Sequence, residues 1–363
     1  MTEFDQKQAR LRALLDERHL DALLLRRVSS VAWATCGARA YVNIASNDAS
    51  ASLLITRSAR YLITSNLEVA RFQEEEHLAE QGWEFRVAPW YQDLDEVANL
   101  TRGMRVGADR AYPSAVDLSR DLVRMRTNLT PEEGERFRIL GRLCEQAVQV
   151  TARTLQPGQT EQAISARLGY DAEVRGTQAI TNIVATDWRV GAFRHALPTE
   201  KPLERYAMLV LNGRRWGLVC TVTRFVHFGA LPADLRTHHE TAAQIAAQCI
   251  DATRPGESLS GLFQFALSAY AHAGFPEEWR KHHQGGVLGY EPRELLITSN
   301  SRETVSIGQA CVWNPSIGSA RSVDTFLVGR SENEILTASE SWPSIAVNIQ
   351  NRVYNRPAVL EVG

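Results

Sequence analysis

Five short stretches of this sequence carry side chains that can move protons or hold charge. Phe193-Arg-His-Ala-Leu-Pro198 presents His195, and Lys281-His-His-Gln-Gly-Gly286 presents His282 and His283 before two glycines that permit close backbone approach. Neutral imidazole accepts and returns a proton near pH 7, as a hydrolysis needs in order to activate water or protonate a leaving nitrogen. Taken alone, His195 is a loop histidine beside a proline turn, and His283 is a buried ring hydrogen-bonded in the core. Tyr290-Glu-Pro-Arg-Glu294 adds a phenol able to donate to a carbonyl or oxyanion, a carboxylate at Glu291, and Arg293, which can pair with either glutamate. Arg224, after Thr223, and Arg321, in Arg321-Ser-Val-Asp324, are structural if carboxylates such as Asp324 neutralise them. Otherwise they suit bidentate capture of a substrate carboxylate.

Such groups need elements to hold them. The 363 residues are 44% hydrophobic and 23% charged, ordinary globular composition with length for one large domain or two. A formal net charge of −2 without a long run of either sign argues against nucleic acid or an anionic membrane surface as partner. The polar N-terminus and the lack of an apolar stretch of about eighteen residues predict a soluble, cytoplasmic protein. Cys36, Cys144, Cys220, Cys249 and Cys311 are scattered, without the close pairs of a zinc site or disulfide framework, and read as reduced, buried fillers. Cys220 has no adjacent base to lower its thiol pKa.

Thr2 can cap a first helix with Leu11, Leu14 and Leu15 inward, and Leu20 to Leu25 reads as a buried strand. Ser52–Thr56 and Arg60–Thr64 read as a hairpin, followed by a helix from Glu68 to His77 and strands at 83–87 and 105–108. Thr130 before Pro-Glu-Glu starts a helix running to about Leu155, which places a domain boundary between residues 128 and 129. Leu155-Gln-Pro-Gly-Gln-Thr-Glu161 stops that helix, and Thr160 caps the next, with Ile164 and Leu168 inward. Arg254-Pro-Gly-Glu-Ser repeats this helix, Pro-Gly, helix arrangement and hints at an internal duplication. Asn212-Gly213 between apolar runs reads as a two-residue hairpin turn.

From Thr130 onward the order of motifs resembles the catalytic "pita-bread" domain of creatinases, prolidases and aminopeptidases P. The Pro-Glu-Glu helix, Leu155–Glu161, His195-Ala-Leu-Pro198, Leu218–Arg224, the Arg254-Pro-Gly256 helix, His283-Gln-Gly-Gly286 and Arg321–Val328 follow one another at the shared spacing. Residues 1–128 resemble the superfamily's smaller N-terminal domain. The resemblance implies an α/β (α+β) chain, with a small N-terminal creatinase-like α/β domain over 1–128 and a C-terminal pita-bread domain over 129–363. It also implies a homodimer.

The metallopeptidases of that superfamily hold two divalent ions with two Asp, one His and two Glu, because about four positive charges need carboxylates to balance them. The resemblance places Leu211 or Asn212, then Thr221, His283, Asn314 and Val323 at those positions, so only His283 survives. If His282 and His283 lie on a strand, as the resemblance implies, they point to opposite faces and cannot chelate together. No metal and no cofactor is therefore expected. His195 matches the histidine that handles protons in the metal-free creatinase branch. The implied pocket gathers His195, His283, Tyr290 and Glu291 for catalysis, with Arg293, Arg321 and Asn314 for substrate. Its ligand would be a small nitrogen-containing molecule or short peptide. The rival expectation is a silent pseudoenzyme that binds a ligand or partner, and a working Xaa-Pro metallopeptidase is the reading the ligand inventory opposes.

Overall fold

A computed structural model describes residues 1–363, the side chains of residues 93–95 aside. Thr2 opens the first helix with a capping box: its hydroxyl accepts from the Asp5 amide, and the Asp5 carboxylate accepts from the Thr2 backbone. The helix Glu3–Glu17 then turns Leu11, Leu14 and Leu15 inward. The strand that follows is Ala22–Arg27, and the hairpin forms between Asp48–Thr56 and Arg60–Ser65 with Ile55 opposite Arg60. These are the central strands of a six-stranded mixed sheet. Glu84–Ala88 joins one edge in parallel, while Val106–Ala108 and then Val116–Asp117 extend the other beside Ala22–Arg27.

The chain folds as two compact units, Met1–Glu132 with Trp216–Leu218, and Glu133–Arg215 with Val219–Gly363. The second unit holds every motif named above as chemical. One of its sheets runs in the order Leu360–Val362, Leu218–Phe228, Tyr206–Arg215, Gln178–Thr186. Another runs Leu295–Leu296, Gly285–Leu288, Ala310–Trp313, Thr325–Leu327, Glu334–Ile335. They meet where Val222 bridges Asp324 and the Thr221 amide donates to Thr325 Oγ1 at 2.9 Å. Two helix pairs accompany the sheets, Pro131–Arg153 with Glu161–Glu173 and Ala233–Ala252 with Leu259–His272.

The two helix pairs are built alike. Gly158 and Gly256 both sit at φ +93°, which favours glycine, in the turn after the first helix. Thr160 and Ser258 each cap the second helix through the hydroxyl. Each cap residue also forms an isolated bridge to a later segment, Thr160 to Pro202 and Ser258 to Thr304. The recurring Pro-Gly signal thus marks the same device used twice.

The Asn212-Gly213 turn does not form. Both residues lie inside the strand Tyr206–Arg215, and the chain reverses at Trp216-Gly217, where both residues take positive φ, +52° and +74°. Gly213 serves close packing instead, since a Cβ there would lie 2.4 Å from Cys144 Sγ. Cys144, Cys220, Cys249 and Cys311 are buried and Cys36 half-buried, and none of the five forms a disulfide. Among the described residues no helix is long and apolar enough to cross a membrane.

Candidate functional site

Strand alternation sorts the motif residues onto two sides of the second unit's sheets. On Tyr206–Arg215, Val210 and Asn212 line a cavity of about 470 Å³, while Leu211 is fully buried and does not. Of the two candidates for the first ligand position, Asn212 is the one that faces the cavity. On Leu218–Phe228, Thr221 and Thr223 face the cavity. Arg224 faces away, its Nη1 donating to Asp324 Oδ1 at 2.9 Å, while Arg356 Nη2 donates to Asp324 Oδ2 at 2.7 Å. Arg224 is therefore structural, buried behind the cavity wall.

Three histidines converge on the cavity: His195, His282 and His283 offer ring nitrogens all within 4.8 Å of one another. The expectation that His282 and His283 diverge fails for a local reason. Both precede the strand Gly285–Leu288, in the loop after the short 3-10 turn Glu278–Lys281, so strand alternation does not apply to them. Their ring centroids lie 4.2 Å apart. The next two residues also depart from the sequence reading. A Cβ on Gly285 would meet Val312 O at 2.5 Å, and one on Gly286 would meet Leu295 O at 2.4 Å and Arg293 Cδ at 2.8 Å. These glycines make room for neighbouring strands and for Arg293.

Arg293, Arg321 and Asn314 all line the cavity. Arg293 Nη1 donates to the Pro292 carbonyl and, at 3.4 Å, to Thr221 Oγ1, and Nη2 donates to Asn314 Oδ1 at 3.3 Å, so the contacts with the two side chains are long. Arg321 Nη2 donates to the Arg194 carbonyl at 3.0 Å. Neither guanidinium has a carboxylate partner among the described residues. Burial pushes the Arg293 pKa down to about 10, and burial followed by the Arg194 charge does the same for Arg321.

These charges set the state of the histidines. Burial and then the neighbouring rings and arginines hold His282 down at about 2 and His283 at about 4, and His195 is lowered by burial, then Arg321, then Arg293. All three are neutral at pH 7. Several polar atoms on the lining side chains are buried without a partner: Asn182 Oδ1, Asn212 Oδ1, Arg293 Nε and His282 Nδ1. They are groups a bound ligand would satisfy.

Tyr290 and Glu291 do not line this cavity. The Gly289 carbonyl is held by the Val219 amide at 2.9 Å, and the Tyr290 ring turns away to donate its hydroxyl to Glu133 Oε1 at 2.6 Å. Its own amide donates to Glu294 Oε1 at 2.9 Å, so this stretch braces the helix Pro131–Arg153. His282 is the converse case, a cavity residue the strand argument excluded. Its signal in the sequence was the His-His pair beside a basic residue.

Residues 135–337 match the model of metallopeptidase family M24. The chain belongs to that family. Among solved structures it is similar to the Xaa-Pro dipeptidase from Bacillus anthracis, at 19% identity and TM-score 0.79, covering 99% of this chain and 100% of that one. It is also similar to the prolidase from Pyrococcus horikoshii OT3, at 18% identity and TM-score 0.78, covering 92% and 99%. A third neighbour is the N-terminal domain of a FACT complex subunit from chickpea, Cicer arietinum, at 12% identity and TM-score 0.70, covering 92% and 96%. These identities establish a shared fold. No curated protein matches the sequence.

The metal centre that the family name implies, dinuclear if the resemblance above holds, does not fit the side chains present. Asn212, Thr221, His283, Asn314 and Val323 offer one imidazole, two amides, a hydroxyl and an isopropyl group, and among the described residues no carboxylate lines the cavity. A hard divalent pair needs anionic oxygen to balance its charge. The cavity instead holds permanent cations, with Arg293 hydrogen-bonded to Thr221 and Asn314. The three-histidine cluster offers nitrogen ligands of the kind zinc accepts, but a dication there would sit beside two guanidiniums that have no carboxylate partner among the described residues. The cavity's electrostatics favour an anion.

Proposed function

We propose that this family M24 chain works without metal, hydrolysing a C–N bond in a small nitrogen-containing compound or short peptide that bears a carboxylate. The observation that carries the proposal is Arg293, whose guanidinium is hydrogen-bonded to the two side chains, Thr221 and Asn314, at positions where the family's metal-dependent members place ligands. Arg293 and Arg321 hold the carboxylate, and Asn314 keeps Arg293 aimed. Neutral His195 takes a proton from the attacking water as its oxygen bonds to the reacting carbon. The imidazolium then passes that proton to the leaving nitrogen as the C–N bond breaks.

A second reading is a pseudoenzyme that binds a ligand or a partner as a homodimer. It is favoured by the likeness to a domain of a multi-subunit complex, and by an acid–base inventory reduced to histidine. One experiment separates the readings. Gel-filtered protein is analysed for metals and screened against amidino compounds, cyclic amides and dipeptides, with and without chelator. The first reading expects no stoichiometric transition metal, chelator-insensitive turnover, and a loss of about a hundredfold or more in His195→Ala at unchanged melting temperature. Turnover that disappears with chelator and returns with metal sinks it. Absence of turnover, with a small molecule that raises the melting temperature through His195, selects the pseudoenzyme.

A further inference from the structure

The rings of His282 and His195 meet edge on, centroids 5.1 Å apart and inclined by 62°, with 3.2 Å between the two Nε2 atoms. Each neutral ring carries one proton, only one of the two can lie between the Nε2 atoms, and the surroundings decide which ring donates it. Nδ1 of His282 is buried without a partner. A proton there would be an unpaired buried N–H donor, a rarer omission in folded proteins than an unpaired acceptor lone pair. The proton of His282 therefore sits on Nε2 and is donated to Nε2 of His195. Neutral His195 then carries its own proton on Nδ1.

The third ring is set independently. A guanidinium only donates, so Arg293 Nη2 fixes the orientation of the Asn314 amide by occupying its Oδ1. Asn314 Nδ2 then faces His283 Nδ1 at 3.1 Å and donates to it, leaving the His283 proton on Nε2. His283 is thereby held in a hydrogen bond of its own, and the partner of His195 is His282.

We propose that His282 is a positioning residue for His195: by donating to its Nε2 it holds the ring as the Nδ1–H tautomer and keeps the basic lone pair covered until a ligand displaces it. The functional weight of this latch rests on the reading of His195 as proton carrier, but the tautomer stands or falls separately. The test uses the whole chain labelled with ¹⁵N-histidine, its ring nitrogens observed at pH 8 and the His195 signals assigned by comparison with His195→Ala. The wild type is expected to show His195 as Nδ1–H, with the His282 ring as Nε2–H. His282→Phe, which keeps a ring but removes the donor, is expected to return His195 to the Nε2–H form that histidine favours in water. Should His282→Phe fail to fold, the wild-type spectrum decides alone. His195 found as Nε2–H in the wild type, or unchanged in a folded His282→Phe, overturns the latch whatever the activity screen returns. Loss of activity in His195→Ala alongside an unchanged tautomer would leave the proton carrier standing and remove only its positioning by His282.

Discussion

A neutral histidine held in a folded core is a liability in acid, and His239 shows the effect in its simplest form. It lies 3% exposed in the helix Ala233–Ala252 with Tyr206 Oη 2.6 Å from its Nε2. Burial, and then the neighbouring His238, hold its pKa at about 3. The unfolded chain binds a proton at this residue below about pH 6.5 while the folded chain does not until about pH 3. Stability linked to His239 is therefore complete above pH 6.5 and is lost as pH falls toward 3, by about 2 kcal/mol at pH 5. His282 and His283 act in the same direction. His239→Gln keeps a hydrogen-bonding group near Tyr206 without the titration. Urea unfolding at pH 7 and pH 5 should show a drop in stability smaller by roughly 1–2 kcal/mol in the variant than in the wild type. Equal drops would mean that the buried ring is not kept neutral.

At the scale of elements, the cavity depends on two strands keeping their faces. The strand Tyr206–Arg215 approaches the helix Pro131–Arg153 so closely that a Cβ at Gly213 would lie 2.4 Å from Cys144 Sγ and 2.5 Å from Thr177 Cγ2. Gly213→Ala should cost about 1–3 kcal/mol through overpacking, read as a lower urea midpoint at unchanged slope. An unchanged midpoint would mean that the strand and helix yield to the added methyl without cost. Helix starts at Thr2, Thr160 and Ser258 were legible because a cap is a local device, one hydroxyl accepting from an amide three residues on. The turn at Trp216-Gly217 was not, because the Asn-Gly preference is weak beside the pairing of a ten-residue strand with its neighbours.

For the molecule as a whole, Arg293 ties stability to occupancy. A buried guanidinium without a carboxylate is expensive, so Arg293→Met should match or exceed the wild type in melting temperature when no ligand is present. A carboxylate-bearing ligand that binds the native state stabilises by about 2.7 kcal/mol at a hundredfold excess over its Kd. Thermal melts in a series of small carboxylates should therefore rise saturably in the wild type and stay flat in Arg293→Met. A wild type indifferent to every carboxylate, yet stabilised by manganese or zinc, would reverse the charge argument.

The sequence by itself determined the fold, and it shows non-acidic residues at the positions that the resemblance matches to metal ligands. Cap signals, helix stops and the order of motifs are one-dimensional, and the absence of acidic residues at Asn212, Thr221, Asn314 and Val323 needs no coordinates to be read. The resemblance carried by that order of motifs also placed His195, Asn314, Arg293 and Arg321 among the candidates, and they line one cavity together. Only the tertiary structure decided which faces these groups use. It chose Asn212 over Leu211 by strand pleat, turned Tyr290 to Glu133, and folded His282 back beside His195 from a loop where alternation has no force. It also showed Arg293 hydrogen-bonded to Thr221 and Asn314, a contact between residues 72 and 21 positions away in the chain. Side-chain direction and counter-charge depend on neighbours distant in sequence, and no local pattern encodes them.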